Sequence, residues 1–226
     1  MIPYEEERKE VLETARKMLH KGHVVGTSGN VSRRIKIDTG ELYAITPSDM
    51  DYDEIEVEDI VIMNDAAKRV KEAEGKRNPP SVEKMLHLGI YKMRPDVGGI
   101  IHTHSLYPSA VSILVDELPN EELPAILEDQ VSFLGGAIKI AQYAPSGTPD
   151  LAKFVHEAIG DKGCVIMRRH GACCVGKNLK KAYRNVELLN KTAQIYIYAA
   201  SCGKVTPLPP EAIERARHIY AATRQM

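Results

Sequence analysis

Stretches in which apolar residues recur every three or four positions predict amphipathic helices. In residues 4–20 these positions are separated by Glu, Arg and Lys, and Gly22 is a residue type that commonly ends a helix. Further along, Ser81 has the side chain of a good N-cap, and Arg94-Pro95 ends the helix that follows it. The predicted helices span residues 4–20, 81–93, 108–114, 149–159, 179–202 and 210–224.

Short apolar and β-branched runs between these helices predict strands. Asp38-Thr39-Gly40 separates two such runs and predicts a hairpin turn, whereas residues 64–80 are polar and predict a surface loop. Helices and strands are mixed without a strict βαβ alternation. We therefore expect one α/β domain over residues 1–226, built on a mixed, largely antiparallel sheet. The predicted strands span residues 23–25, 34–37, 42–45, 59–63, 97–101, 135–140, 164–167 and 172–175.

Composition and charge exclude several classes of partner. Thirty Lys and Arg face 31 Asp and Glu, which gives a net charge of -1 and no basic excess for binding nucleic acid. The sequence contains no run of about 20 apolar residues, so we expect no membrane span. The N-terminal segment is acidic and does not begin like a signal peptide, and the four cysteines form no CxxC pair. These features predict a cytoplasmic protein with reduced thiols.

His102-Thr103-His104 is the most informative histidine pair in the chain. Residues i and i+2 of a strand point to the same face, so the two imidazoles are placed to share a divalent ion. A catalytic metal site needs about three protein ligands, and His170 directly follows another predicted strand. A hydrogen-bonded structural pair remains an alternative interpretation of the motif. A site built on Cys173 and Cys174 is a further alternative.

Other candidate site residues lie in two small-residue turns and at the start of a helix. Glu83 lies four residues before His87, so it is either an exposed capping residue or a general base or fourth ligand. The segment 26–32 contains two glycines among small polar residues, and its main-chain N–H groups can form an anion-binding nest. The segment 46–49 can add a hydroxyl to the same site, although both segments are also compatible with ordinary turns.

Taken together, these residues resemble the class II aldolase/adducin family. The resemblance extends from about residue 8 to 202 and rests on motifs that occur in the family's order. The motifs are Gly26-Thr27-Ser28-Gly29-Asn30-Val31-Ser32, Ile45-Thr46-Pro47-Ser48, Pro80-Ser81-Val82-Glu83, Arg94-Pro95-Asp96, His102-Thr103-His104-Ser105 and Arg169-His170-Gly171.

The resemblance implies an α/β/α sandwich and one Zn²⁺ per chain, with other divalent ions possible. It also implies a homotetramer with active sites between subunits. The implied metal ligands are His102, His104 and His170, and the implied catalytic residues are Glu83 and, by a looser alignment, Tyr220. The implied phosphate contacts are Gly29, Asn30, Ser48, Asp49 and Ser81. Zinc would act as a Lewis acid and stabilise an enediolate, while Glu83 shuttles a proton.

Three positions depart from the family pattern. Val82 replaces a phosphate-contacting serine, Asp49 replaces a glycine, and Glu128 stands at the position of a catalytic tyrosine, with Asp129 beside it. A carboxylate near a phosphate is repulsive by about 1 kcal/mol even in water. These departures leave it open whether the substrate is phosphorylated.

Three functions are therefore compatible with the sequence. The first is a zinc-dependent aldolase that cleaves or forms a ketose 1-phosphate of the L-fuculose 1-phosphate type, from dihydroxyacetone phosphate and an aldehyde. The second is a decarboxylase, epimerase or dehydratase that uses the same site on a related substrate. The third is a non-catalytic, adducin-like interaction domain. The presence of all three histidines together with Glu83 favours an enzyme over an interaction domain.

Overall fold

The computed structural model describes residues 2–70, 75–76 and 78–225. Its helices are α1 (Glu5–His20), α2 (Lys84–Met93), α3 (Leu106–Ile113), α4 (Glu128–Leu134), α5 (Pro149–Ile159), α6 (Leu179–Cys202) and α7 (Pro210–Gln225). Its strands are β1 (Asn30–Ile37), β2 (Gly40–Ile45), β3 (Val61–Met63), β4 (Gly99–Thr103), β5 (Glu122–Leu123), β6 (Ile138–Ala141), β7 (Cys164–Met167) and β8 (Gly171–Gly176).

The strands form one eight-stranded sheet in the order β3-β2-β1-β4-β8-β7-β6-β5. Neighbouring strands are antiparallel except β6 and β7, which are parallel. The predicted hairpin joins β1 to β2, where Ile37 pairs with Gly40. The prediction of a mixed, largely antiparallel sheet is therefore confirmed.

Helices cover both faces of this sheet because the strands alternate apolar side chains between two cores. In β2, Leu42 and Ala44 enter one core with residues of α1 and α6, whereas Tyr43 and Ile45 enter the other with residues of α2 and α5. Each aliphatic side chain that is fully buried in this way contributes about 1.5–3 kcal/mol to stability. The result is the α/β/α sandwich that the family resemblance implied.

The structure differs from several local predictions. Residues 23–25 are a loop, not a strand, because Gly22 and Gly26 turn the chain with φ of 71° and 58°. The predicted helix at Ser81 begins only at Lys84, and the Ser81 hydroxyl accepts a hydrogen bond from the Glu83 N–H at 3.2 Å. Helix α4 was not predicted.

Two sequence-based expectations concern the surface and the membrane. The surface loop predicted at 64–80 falls partly on 71–74 and 77, which lie outside the described residues. Within the described part of the chain, no helix combines the length and apolar character needed to cross a bilayer.

Candidate active site

The imidazoles of His102, His104 and His170 converge at the end of β4. Their ring centroids form a nearly equilateral triangle, with sides of 4.8, 4.8 and 4.9 Å. Nε2 of His102 lies 3.0 Å from Nε2 of His104, and one nitrogen from each ring lies within 4.8 Å of the other two. Two nitrogen ligands of a tetrahedral zinc are roughly 3.4 Å apart, so these donors are suited to surround one ion.

Sheet pairing brings the three histidines together. His102 lies in β4, and His104 follows this strand directly. His170 lies in the tight turn between β7 and β8, and β8 is the neighbour of β4 in the sheet. Gly171 is required here because a Cβ at this position would come within 2.1 Å of the main-chain oxygen of Thr103. The glycine therefore lets the strand that follows His170 approach the strand that carries His102.

The surroundings prepare the imidazoles to bind a cation. Burial lowers the pKa of His102 and His104, and burial together with the charge of His102 lowers the pKa of His170 to about 4. The rings are therefore neutral near pH 7, as metal ligation requires. Nδ1 of His102 lies 3.0 Å from the main-chain oxygen of Ala172, a contact that directs Nε2 of the same ring toward the cluster.

The carboxylate of Glu83 lies against this cluster. Its Oε2 is 3.1 Å from Nε2 of His102, and its Oε1 is 3.6 Å from Nε2 of His170. Burial would raise the pKa of Glu83, but the positive charge that His102 and His170 carry when protonated at low pH, together with hydrogen bonds from Asn30 and Ser146, outweighs it and lowers the pKa to about 2. Glu83 is therefore ionised at neutral pH and able to accept a proton or to join the ligand set.

The two predicted anion-binding turns also meet beside Glu83. The Ser48 N–H donates to the Pro79 oxygen at 3.0 Å, and the Ser81 N–H donates to the Thr46 oxygen at 3.1 Å. Gly29 has a φ of 76°, and a Cβ there would lie 2.7 Å from the main-chain oxygen of His102. The structure thus brings Gly29, Asn30, Ser48, Asp49 and Ser81 into one region; their contact with phosphate stays a prediction.

Asp49 retains the backbone conformation that glycine would adopt. Its φ is 55°, and its Oδ1 accepts a hydrogen bond from the Thr27 hydroxyl at 3.0 Å. The neighbouring departure, Val82, is more than half exposed and offers no hydrogen-bonding group. The Thr27 hydroxyl therefore holds the Asp49 carboxylate against the turn 26–29.

Tyr220 and Glu128 contact other parts of the chain. The Tyr220 hydroxyl donates to the main-chain oxygen of Asp161 at 2.7 Å, and the ring borders a small cavity with Arg94 and Arg224. Glu128, at the start of α4, forms an ion pair with Arg215. A catalytic role for Tyr220 stays a prediction, since the structure of one chain does not bring it to the histidines.

Asp129 and the two adjacent cysteines are the remaining candidate residues of the sequence analysis. Asp129 pairs with Lys191 at 2.7 Å. Cys173 and Cys174 point into opposite cores, and burial raises the pKa of both thiols. Two thiols on opposite faces of a sheet cannot share an ion, so the three histidines are the candidate metal centre.

Sequence reasoning missed the two side chains that hold Glu83. Asn30 Nδ2 donates to Glu83 Oε2 at 2.9 Å, and Ser146 Oγ donates to Glu83 Oε1 at 2.9 Å. Asn30 was predicted as a phosphate contact, and Ser146 was not predicted at all. A serine beside a glycine in a polar loop carries no signal in a single sequence that would distinguish it from any other turn.

Comparison with known proteins agrees with this geometry. Residues 9–197 match the profile of the Class II Aldolase and Adducin N-terminal domain. The chain is 34% identical over 210 residues to the 5-deoxy-D-ribulose 1-phosphate aldolase of Bacillus thuringiensis serovar kurstaki, covering 93% of each chain. It is 31% identical over 189 residues to the L-fuculose phosphate aldolase of Escherichia coli, covering 84% of this chain and 81% of that protein.

A solved structure of an L-fuculose 1-phosphate aldolase superimposes with a TM-score of 0.87 at 30% identity and covers 97% of this chain and 98% of that one. The family match and the relatives named as aldolases support a metal-dependent class II aldolase, and the imidazole cluster with its adjacent carboxylate fits such an enzyme. The chain belongs to the class II aldolase and adducin N-terminal domain family and, within it, to the fuculose-phosphate aldolase group.

Proposed function

We propose that this enzyme cleaves, and in reverse forms, the C3–C4 bond of a ketose 1-phosphate, with dihydroxyacetone phosphate and an aldehyde as the products. The observation that carries the proposal is the buried Glu83 carboxylate, 3.1 Å from Nε2 of one histidine of the cluster and 3.6 Å from that of another. The relatives named as 5-deoxy-D-ribulose 1-phosphate and L-fuculose phosphate aldolases support this class of substrate.

We also propose zinc as the ion that His102, His104 and His170 hold. Three neutral imidazoles suit zinc, and cobalt or manganese occupancy is compatible with the same donors. When bound, the divalent ion supplies Lewis-acid stabilisation of the negative charge that develops on the ketose oxygens during cleavage.

Side chains of the protein carry out the proton transfers of the reaction. Cleavage removes the proton of the C4 hydroxyl, breaks the C3–C4 bond and moves its electron pair to the C2 carbonyl oxygen, after which C3 takes up a proton. Glu83 is the group placed to carry the proton at C3, because it is ionised and buried beside the cluster. The hydroxyls of Ser48 and Ser81, with main-chain N–H groups at positions 29, 30 and 49, would hold the phosphate without excess Lys or Arg.

The backbone conformation of Asp49 is compatible with a phosphate-binding turn. Because Asp49 keeps a φ of 55° and the Thr27 hydroxyl holds its side chain, the turn retains the backbone shape of the family's glycine.

We further propose, from the family resemblance, a cytoplasmic homotetramer. Within one chain the Tyr220 hydroxyl is occupied by Asp161, so a catalytic role for Tyr220 requires that bond to be exchanged for one to the substrate in the assembled enzyme.

A condensation assay tests the proposal. Zinc-loaded protein is given dihydroxyacetone phosphate with acetaldehyde, glycolaldehyde or lactaldehyde, and parallel reactions contain unphosphorylated dihydroxyacetone. We expect a ketose 1-phosphate from at least one aldehyde and much less product from dihydroxyacetone. Glu83→Gln should lower kcat by about 100-fold or more while metal content stays near one ion per chain.

Glu214→Gln, a change at an exposed position of α7, is the matched control and should leave turnover unchanged. Absence of condensation with every aldehyde would reject the aldolase substrate. It would then favour a decarboxylase, epimerase or dehydratase at the same site. Protein that folds normally but takes up no metal would contradict both.

A further inference from the structure

A short turn between β6 and α5 places a hydroxyl on the carboxylate of Glu83. Ser146 lies at the second position of the turn 145–148, and its Oγ donates to Glu83 Oε1 at 2.9 Å. The two residues are 63 positions apart in the sequence. Ser146 is exposed, whereas Glu83 is buried, so the contact joins a surface turn to the interior of the site.

Local interactions fix the position of this turn. Gly147 has a φ of 73°, which the third residue of a type II turn requires, and the Thr148 N–H donates to the Pro145 oxygen at 3.3 Å. The Thr148 hydroxyl donates to the same oxygen at 2.7 Å and accepts from the Leu151 N–H at 3.3 Å as the N-cap of α5. The turn is thus continuous with the N-terminus of α5, and these hydrogen bonds restrict the position of Ser146.

Val82 lies beside the turn. A Cβ built on Gly147 would lie 3.5 Å from Cβ of Val82, so a methyl group added at this glycine would just contact the side chain. Val82 directly precedes Glu83. The residue that departs from the family's serine therefore lies next to the turn that reaches Glu83.

A glutamate needs such partners if its carboxylate is to keep one orientation. The terminal torsion of Glu is broad and roughly two-fold, so rotamer preference alone does not fix the plane of the two oxygens. Asn30 donates to Oε2 from the buried strand β1, and Ser146 donates to Oε1 from the turn. With one donor on each oxygen, Oε2 faces His102 and Oε1 faces His170.

We propose that Ser146 is a positioning residue that, opposite Asn30, holds the Glu83 carboxylate in the orientation used for proton transfer. This inference rests on the proposed function, because Glu83 is the proton carrier there. Ser146 acts through Glu83 and not through the substrate. Its loss should therefore slow turnover and leave substrate affinity nearly unchanged.

Steady-state kinetics of two Ser146 variants test this role in zinc-loaded enzyme. Ser146→Ala removes the hydroxyl, and we expect kcat to fall roughly tenfold with KM within twofold of wild type, as for other residues that orient a site group. Ser146→Thr keeps a hydroxyl and should restore most of kcat. Ser201→Ala is the matched control, since its hydroxyl donates only to the Tyr198 main-chain oxygen on exposed α6, and it should leave both constants unchanged.

Three kinetic results would overturn the proposal. In the first, Ser146→Ala keeps kcat within twofold of wild type. In the second, KM rises while kcat is unchanged, which would make Ser146 a substrate contact. In the third, Ser146→Thr is as slow as Ser146→Ala, so that the shape of the turn and not the hydroxyl is what matters.

A wild-type enzyme without aldolase turnover would reject the proposed function, and a second measurement then decides the role of Ser146 by itself. Crystal structures of zinc-loaded wild type and Ser146→Ala, both without substrate, are compared at Glu83. A rotated carboxylate in the variant supports the positioning role. An identical carboxylate in both overturns it.

Discussion

His87 is a fully buried histidine that interacts electrostatically with His102 of the histidine cluster. Its Nδ1 lies 2.6 Å from the Ser32 hydroxyl, which is also 2.9 Å from the Tyr91 hydroxyl. Among the described residues, Nε2 of His87 has no hydrogen-bond partner. Burial and the nearby charge of His102 lower the pKa of His87 to about 3, so the ring is neutral. Ser32 therefore supplies the contact that compensates for burying this imidazole.

Replacing Ser32 by Ala should destabilise the fold. The change leaves both nitrogens of a buried ring without a side-chain partner, and such unsatisfied groups cost about 1–3 kcal/mol. Urea unfolding at pH 7 measures the loss, with Ser201→Ala as a serine-to-alanine control on the surface. A Ser32→Ala free energy of unfolding equal to that of wild type would mean that His87 finds another partner.

At the scale of single residues, the sequence predicted which side chains form the site but not the contacts that orient them. His102 and His104 could be assigned from the strand period, and Glu83 from its place in the family motif. The contacts of Glu83 with Asn30 and Ser146 join residues 53 and 63 positions apart. No local pattern encodes such pairs, because sheet pairing and the placement of the turn 145–148 create them.

At the scale of elements, two glycines show how closely β4 approaches its neighbours. A Cβ at Gly171 would lie 2.1 Å from the Thr103 oxygen, and one at Gly98 would lie 2.3 Å from the Lys177 oxygen. Gly171 faces the histidine end of β4, whereas Gly98 precedes the other end of this strand. The two glycines therefore make similarly close contacts, but Gly171 is near the three histidines and Gly98 is at the far end of the strand.

Gly171→Ala and Gly98→Ala should separate stability from metal binding. Each forces a backbone shift that costs about 1–3 kcal/mol, by analogy with overpacked cores. Only Gly171→Ala displaces Thr103, which lies between two of the histidines, so only this variant should lose roughly tenfold or more in zinc affinity. Zinc titration against a competing chelator measures this. Equal affinities in the two variants would show that the cluster tolerates movement of Thr103.

Periodicity predicted long helices well and short elements poorly. The bounds predicted for α5 and α6 agree with the structure, because each presents an unbroken apolar stripe to the sheet. Helix α4 has seven residues, too few for its period to stand out from the loop before it. Its N-terminus depends on Gln130, whose side chain accepts from the Ile126 N–H at 2.9 Å, a contact that composition does not reveal.

At the scale of the whole molecule, Asp96 links the C-terminal helix to the body of the sandwich. Its carboxylate accepts hydrogen bonds from Arg94 at 2.8 Å and from Arg224 of α7 at 3.1 Å. Arg224 also donates to the main-chain oxygen of Asp161, which accepts from the Tyr220 hydroxyl as well. Helix α7 is thus tied to the loop before β4 and to the loop after α5, and the first of these ties depends on the ionised carboxylate of Asp96.

This linkage predicts an acid-sensitive component of stability. The hydrogen bond and charge of Arg94, with a further contribution from Arg224, lower the pKa of Asp96 to about 2, against about 3.9 in an unfolded chain. Because the folded-state pKa is the lower one, the stabilisation is complete above about pH 4 and is lost as the pH falls through about 2. The carboxylate is partly exposed and screened by solvent, so we expect only about 1 kcal/mol.

Asp96→Asn should therefore destabilise the protein at pH 6 by about this amount and much less at pH 2.5, where the carboxyl of the unfolded chain is almost fully protonated and most of the charge-dependent stabilisation is lost. Urea unfolding at both pH values measures the difference, and Asp116→Asn, which removes one exposed ion pair with Arg168, is the matched control. If Asp96→Asn lost the same free energy at both pH values, its effect would come from altered hydrogen-bond geometry. The charge of Asp96 would then play no part in holding α7 to the sheet.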